Sequence, residues 1–242
     1  MLIRWRRPGS PKSRLARSAI VFLLSALLVV CARLPLRGDS EPQNNLRTSS
    51  SGRHLVVLLD INPNQKKVLP VELALAEGVI QKLDQPGNSF SVITFGSKSP
   101  TLLKSGVQAI EAVAAIRDIG LGQQNDEYLS VQLYDALNLA FGQFTDNAGP
   151  DSLLIITEGN DGRGKMFKQA VTRAQQLQVI CNAAMVANHT LYGSKAIQRY
   201  GFYLRELAGK THGRYIEVGD RPKKVLRSID RLSESIQDQY RR

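Results

Sequence analysis

Cysteine is almost absent from this chain of 242 residues, which contains only Cys31 and Cys181. Cys31 lies in an apolar segment near the N-terminus that has the features of an export leader. Once that segment is removed, a single thiol remains and no internal disulfide can form, so a hydrophobic core must stabilise the fold. A hydrophobic content of 43% is sufficient for such a core, and Cys181 is predicted to be a small buried residue within it.

Acidic residues are missing from residues 1–32, which carry six basic side chains. The whole chain has 32 basic and 21 acidic residues, a net charge of +11, so 26 basic residues lie beyond position 32. About half of the excess positive charge belongs to the N-terminal segment, and this placement argues against a nucleic-acid partner. Further basic residues recur on the last predicted helix, where we expect a solvated face; they are Lys223, Lys224, Arg227 and Arg231.

A comfortable membrane span is lacking as well, because the apolar run at residues 18–32 is only fifteen residues long and a span needs ~20. A basic stretch followed by such a run is typical of a signal peptide, here cleaved after Ala32. Retention of the segment as a membrane anchor, or lipid attachment at Cys31, are the alternatives, and each of them also exports the domain. We therefore predict a leader at 1–32, a flexible polar linker at 33–53 and a domain at 54–242. The domain is expected in the periplasm, on the cell envelope or secreted, with membrane contact only through the leader.

Beyond the linker, apolar runs typical of buried strands alternate with segments of helical spacing. Strands are predicted at 54–60, 90–95, 152–157, 179–186 and 213–218, with a short edge strand at 100–104. Helices are predicted at 69–83, 107–116, 130–144, 166–177, 196–208 and 222–240. This alternation indicates an α/β fold with a doubly wound, mainly parallel central sheet and helices on both faces. Ligands of such sheets bind beyond the carboxyl ends of the strands, so the candidate loops for a site are those after Asp60, Phe95, Thr157 and Val186.

Three segments carry a resemblance to a known family. The first strand closes with Asp60-Ile-Asn62-Pro-Asn64, a mid-chain helix opens near Ser130 with Leu-Tyr-Asp, and a later strand closes with Thr157-Glu158-Gly. In this order and spacing, residues 54–240 resemble a von Willebrand factor type A (VWA) domain, of the bacterial VWFA-related branch described from Acidobacteria. The resemblance implies a Rossmann-like VWA fold and a non-catalytic protein-interaction or adhesion domain that binds a protein partner at the carboxyl edge of the sheet.

The resemblance also implies a metal-ion-dependent adhesion site for Mg²⁺ or Mn²⁺. Carried over by position, its ligands are Asp60, Asn62, Asn64 and Glu158, with Ser130 beside the family's threonine position, which Val131 occupies. Two asparagines replace serines and Glu158 replaces an aspartate, so the site is degenerate, and Mg²⁺ demands near-ideal geometry at ~2.1 Å. These departures favour a metal-free polar rim over a bound cation, with both interpretations left open. The residues predicted to line the partner-binding face are Asp60, Asn62, Asn64, Glu158 and Asp161.

Two alternatives belong to other functional classes. Gly159 to Lys165 has the G-x-x-x-x-G-K spacing of a phosphate-binding loop, which would indicate a nucleotide-binding enzyme. Met166 stands where such a loop needs a serine or threonine for Mg²⁺, and Glu158 and Asp161 bring negative charge to the phosphate position, so this interpretation is disfavoured. The other alternative is a metal-independent structural or scaffold domain. The three histidines show no metal-ligand spacing and no G-x-S-x-G elbow occurs, so we predict that the chain is not an enzyme.

Overall fold

The computed structural model describes residues 52–62, 67–96, 99–119, 132–144, 151–158, 164–187, 194–219 and 221–241. The predicted leader and all but the last two residues of the predicted linker lie outside these ranges. The strands are β1 (His54–Asp60), β2 (Ser89–Phe95), β3 (Thr101–Val107), β4 (Ser152–Thr157), β5 (Ile180–Val186) and β6 (Tyr215–Val218). The helices are α1 (Leu69–Lys82), α2 (Ala109–Ile119), α3 (Leu133–Phe141), α4 (Gly164–Gln176), α5 (Ser194–Lys210) and α6 (Pro222–Tyr240). Within the described part of the chain, no helix is both long and apolar enough to cross a membrane.

The six strands form one sheet in the order β3-β2-β1-β4-β5-β6. Only β3 runs antiparallel to its neighbour, and all the other pairings are parallel. The chain proceeds from β1 outward on one side and returns to β4 on the other side, so the strand order reverses between β1 and β4. This arrangement confirms the predicted fold class. In sheets of this kind, ligands bind at the crevice beyond the carboxyl ends of the two strands between which the order reverses.

Strand β1 is buried on both faces because alternate side chains point to opposite sides of the sheet. Leu55, Val57 and Leu59 pack in a cluster with the apolar faces of α1, α2 and α6. Val56 and Leu58 pack in the second cluster, with α3, α4 and α5. A continuous apolar run is thus what a central parallel strand requires. Cys181 belongs to the second cluster and is 1% exposed, as predicted, and burial raises the pKa of its thiol to about 12.

The main departure from the predicted elements lies at the edge strand. β3 extends to Val107 instead of ending at residue 104, and α2 begins two residues later than predicted, at Ala109. Gly106 adopts a positive φ of 63°, and its N–H donates a hydrogen bond of 3.1 Å to Ser91 Oγ on β2. The register shifts along this pair, so an irregular strand continues through a segment whose polar residues gave no alternating pattern.

A buried polar pair joins the last helix to the sheet. The side-chain amides of Asn182 on β5 and Gln239 on α6 exchange two hydrogen bonds of 3.1 Å, and the Arg214 N–H donates to Asn182 Oδ1 at 2.9 Å. Asn182 is fully buried and Gln239 is 6% exposed. The pair therefore fixes the position of α6 without leaving either amide unsatisfied in the interior.

Replacing Gln239 with alanine is expected to lower the free energy of unfolding by about 1–3 kcal/mol, because the Asn182 amide loses its buried acceptor and donor. Urea denaturation of the two proteins measures this difference. Gln237→Ala is the matched control, since Gln237 donates only an exposed hydrogen bond to the Lys82 carbonyl. Equal losses in the two variants would contradict a special role for the buried pair.

Candidate functional site

Asp60 is the last residue of β1 and lies at the crevice between β1 and β4. Its carboxylate is fully buried. Oδ2 accepts a hydrogen bond of 2.7 Å from the Thr157 hydroxyl at the end of β4, and Oδ1 accepts one of 3.1 Å from the Asn62 N–H. The parallel register, in which Leu59 pairs with Ile156, brings Asp60 and Thr157 side by side. These two hydrogen bonds hold the Asp60 carboxyl in place at the end of β1.

The loop after β1 is held close to the end of β2. The Ile61 N–H donates a hydrogen bond of 2.8 Å to the Phe95 carbonyl, and Asn62 is only 3% exposed. Gly96 follows β2 with a φ of 92° and faces this loop. A Cβ on Gly96 would lie 2.5 Å from Asp60 Oδ1 and 2.9 Å from the Asn62 nitrogen. A residue without a side chain is therefore required for the loop to sit against Asp60.

Glu158 follows β4 directly and is 1% exposed. It lies at the same edge of the sheet as Asp60, as the parallel pairing of β1 and β4 requires. The structure thus brings together three of the predicted site residues, Asp60, Asn62 and Glu158, in the crevice. The other three, Asn64, Ser130 and Asp161, lie outside the described residues. Most of the Gly159–Lys165 loop lies outside them too.

Glu72 is a further acid at this site that the sequence analysis did not select. It lies near the start of α1 and is fully buried, and neither of its carboxylate oxygens has a hydrogen-bond partner among the described residues. Burial raises the pKa of Glu72 well above its usual value, and the negative charges of Asp60 and then Glu158 raise it further. These effects favour a neutral Glu72, and they show that the three carboxyl groups are close enough to interact.

A sequence signal for Glu72 exists in the spacing of α1. Leu69, Glu72, Ala76 and Val79 recur every three or four residues, and all four are buried. A charged residue on the apolar stripe of a helix is uncommon, since an unpaired buried carboxylate is unstable. Such a residue indicates either that a nearby group compensates its charge or that it belongs to a functional site.

The donors at this edge are oxygen atoms, which is the ligand type that Mg²⁺ and Mn²⁺ prefer. The described residues supply three of the five predicted ligands. However, no three histidine, cysteine, aspartate or glutamate side chains in the described ranges are arranged to hold a metal ion. The described residues therefore match a hard cation in donor chemistry but do not complete a metal site.

Neither protein-family models nor curated proteins give a match to this chain. Solved structures do match it. The protein BatB from Bacteroides thetaiotaomicron aligns with a TM-score of 0.60 and 16% identity over 79% of this chain and 100% of that one. An aerotolerance-related membrane protein from Bacteroides fragilis gives 0.57 and 16% over 77% and 100%. Manganese-loaded TRAP protein from Plasmodium vivax gives 0.53 and 16% over 76% and 74%. At such identities the likeness shows the fold alone, and that fold is of the VWA type.

Proposed function

We propose that this chain is an exported protein-interaction domain of adhesion type that binds a protein partner at the carboxyl edge of its sheet. The VWA-type fold, which the chain shares with the solved structures, supports an interaction role. The proposed partner-binding residues are Asp60, Asn62 and Glu158, together with Asn64 and Asp161 from the adjoining loops. Its degenerate adhesion site and its place in the Acidobacterial branch belong to the same proposal.

The observation that carries this proposal is the buried acidic cluster formed by Asp60, Glu72 and Glu158 in the crevice where the strand order reverses. Each of the three is at most 1% exposed, so a flat protein surface cannot reach them. The proposed ligand is therefore a single positive group: either a divalent cation that a partner carboxylate then binds, or the side chain of a partner lysine or arginine. Either would favour the charged form of the three carboxyl groups.

Catalysis is not part of this proposal. Among the described histidines, His54 has polar side-chain neighbours: its ring nitrogens lie 2.8 Å from Ser89 Oγ and 3.1 Å from Ser91 Oγ. His54 begins β1 and so lies at the amino-terminal edge of the sheet, opposite the acidic cluster. Burial lowers its pKa, which favours a neutral, hydrogen-bonded ring in a structural role.

Calorimetric titration of Mn²⁺ and Mg²⁺ into the full-length chain distinguishes a bound divalent cation from the side chain of a partner lysine or arginine. If a cation binds, Asp60→Asn is expected to weaken its binding at least tenfold, because the amide has the shape of the carboxylate but lacks its charge. Asp118→Asn, an exposed acid on α2, is the matched control and should leave the titration unchanged.

The absence of heat with either metal would favour the metal-independent form of the domain, in which the cluster receives a partner cation or serves only as a scaffold. ATP titration with Lys165→Ala tests the nucleotide-binding alternative in the same instrument. Nucleotide binding that this substitution abolishes would overturn the proposed interaction role. The buried carboxyl of Glu158, directly before that loop, disfavours such an outcome.

A further inference from the structure

The outer face of α6 divides its charges by sign. Five exposed cations occupy its start and first half: Arg221, Lys223, Lys224, Arg227 and Arg231. The acids Asp230, Glu234 and Asp238 follow the first four of these cations, and Arg231 lies between the first two acids. The chain beyond position 32 has 26 basic and 21 acidic residues, so these five cations equal its whole excess of positive charge.

This order of charges opposes the helix dipole. The first turn of α6 contains no acid and the last turn contains no basic residue. Acids are favoured at a helix N-terminus and cations at its C-terminus, so Lys223 and Lys224 in the first turn are unfavourable for α6 itself. Helix stability therefore does not account for the basic end of α6.

Ion pairing does not account for it either. None of the five cations forms an ion pair with another described residue. By contrast, three acids on α6 and on the elements packed against it are already paired with other cations. Asp230 pairs with Lys82 at 2.7 Å, Glu77 with Arg117 at 2.9 Å and Glu217 with Arg205 at 3.3 Å. Among the residues that the structure describes, no ion pair compensates the positive charge at the start of α6.

A large apolar side chain protrudes from the middle of this surface. Leu226 is 62% exposed, one helical turn from Lys223 and next to Arg227. The buried side chains of α6, such as Val225 and Ile229, point the other way into the core. The exposed face of α6 is therefore basic, with the apolar side chain of Leu226 among the cations.

We propose that this surface, formed by residues 221–231, docks on the anionic lipid headgroups of a membrane. Clusters of four to eight basic residues on a helix face are suited to acidic lipids, whose negative potential attracts them. A fluid lipid surface needs no shaped partner groove, and Leu226 can enter between the headgroups. A protein interface would instead be depleted of lysine at its centre and shaped to match its partner. The inference does not depend on the acidic cluster or on the function proposed for it.

The experiment uses the full-length chain reconstituted into vesicles. An environment-sensitive fluorophore is attached at Leu226→Cys in a Cys31→Ser background, in which the remaining native thiol, Cys181, is buried. Phe202→Cys is the matched reporter, because Phe202 is 52% exposed and lies on α5, across the sheet from α6. Vesicles of phosphatidylcholine are compared with vesicles that also contain phosphatidylglycerol.

We expect a blue shift of emission at position 226 in the anionic vesicles, and no shift in neutral vesicles or at position 202. In 1 M salt, where the screening length is about 3 Å, the shift should disappear. Lys223→Glu/Lys224→Glu/Arg227→Glu should abolish it too. The same change of net charge on α4 and α5, in Lys168→Glu/Arg173→Glu/Arg199→Glu, should leave it intact.

Three results would overturn the proposal: no shift at position 226, equal shifts at positions 226 and 202, or equal loss in the two charge-reversed variants. Binding of polyglutamate without any response to vesicles would assign the surface to an acidic protein segment instead. Thermal unfolding gives a second readout. Because Glu is favoured at a helix N-terminus, Lys223→Glu/Lys224→Glu should not lower the Tm. A lowered Tm would show that the lysines serve the fold.

Discussion

Replacing Glu72 with leucine is expected to stabilise the folded chain at pH 7 by about 1–3 kcal/mol, the usual cost of a buried polar group without a hydrogen-bond partner. Both carboxylate oxygens of Glu72 are in this state among the described residues, and Asp60 and Glu158 add negative charge nearby. Leucine is close to glutamate in size and suits the surrounding apolar face of α1, which includes Leu69, Leu75 and Ala76. Urea denaturation at fixed pH measures the gain.

The pH dependence of stability provides a second test of Glu72. Its pKa is raised in the folded state, so the folded chain binds a proton that the unfolded chain releases near the usual pKa of 4.5. Stability of the wild-type chain should therefore fall as the pH rises from about 4.5 through the raised folded-state value. The leucine variant should lose this part of the slope. A separate loss of stability as the pH rises from about 3.8 to about 6 should persist in both proteins, because burial raises the pKa of Asp151 from 3.8 to about 6.

Glu77→Leu is the control for Glu72. Glu77 lies on the same helix, but it is partly exposed and its carboxylate pairs with Arg117 at 2.9 Å. Its replacement should change stability by less than about 1 kcal/mol, as expected for a surface ion pair. If Glu72→Leu destabilises the chain instead, its carboxyl must have favourable partners in the folded protein.

A stabilising substitution at Glu72 would separate stability from function. Natural sequences retain unfavourable groups chiefly at sites where activity requires them. The same titration with Mn²⁺ can be made on Glu72→Leu. A variant that gains stability and loses cation binding would place Glu72 in the site, whereas unchanged binding would leave it as a packing defect of α1.

The sequence allowed prediction of the sheet and of Asp60 and Glu158 in one site, but not of Glu72 beside them, and the reason is physical. Apolar runs such as residues 54–60 specify a strand buried on both faces, whatever its neighbours are. The spacing of α1 likewise places Glu72 on a buried stripe. The groups that oppose it, Asp60 and Glu158, belong to two strands far apart along the chain. Only the strand order, which a single sequence does not specify, brings the three acids together.

The edge strand was predicted only in part, at 100–104, and its continuation to Val107 was not predicted. The segment from Thr101 to Val107 is largely exposed and lacks the alternation that is typical of a strand over its whole length. It becomes one because the free edge of β2 offers backbone hydrogen-bonding groups, and Gly106 allows the irregular geometry. Tertiary pairing decides the structure here, and local preference does not. In the candidate site, the sequence predicts Asp60 and Glu158 at the ends of strands. It does not predict the contact of Gly96 with Asp60, which depends on tertiary structure.

Replacing Gly96 with alanine is expected to destabilise the chain by about 3 kcal/mol, through backbone strain and a collision at the site. The φ of 92° is unfavourable for any residue with a Cβ, and that Cβ would lie 2.5 Å from Asp60 Oδ1. The β1 loop or the Asp60 carboxylate must therefore move, and the hydrogen bond from the Asn62 N–H to Asp60 Oδ1 is the contact that this shift disturbs most directly. Chemical denaturation measures the loss of stability.

Gly106→Ala isolates the collision from the backbone strain. Gly106 also has a positive φ, of 63°, but a Cβ there would meet no atom within 4 Å. Its replacement should cost only the strain, about 1–2 kcal/mol. The difference between the two variants then reports the displacement at Asp60, and any cation titration should weaken only in Gly96→Ala. Equal losses of stability and unaltered titrations would show that the loop can move away from Gly96 without cost. The crevice would then be a pliable surface, and the close approach of Gly96 to Asp60 would have no part in positioning the carboxylate.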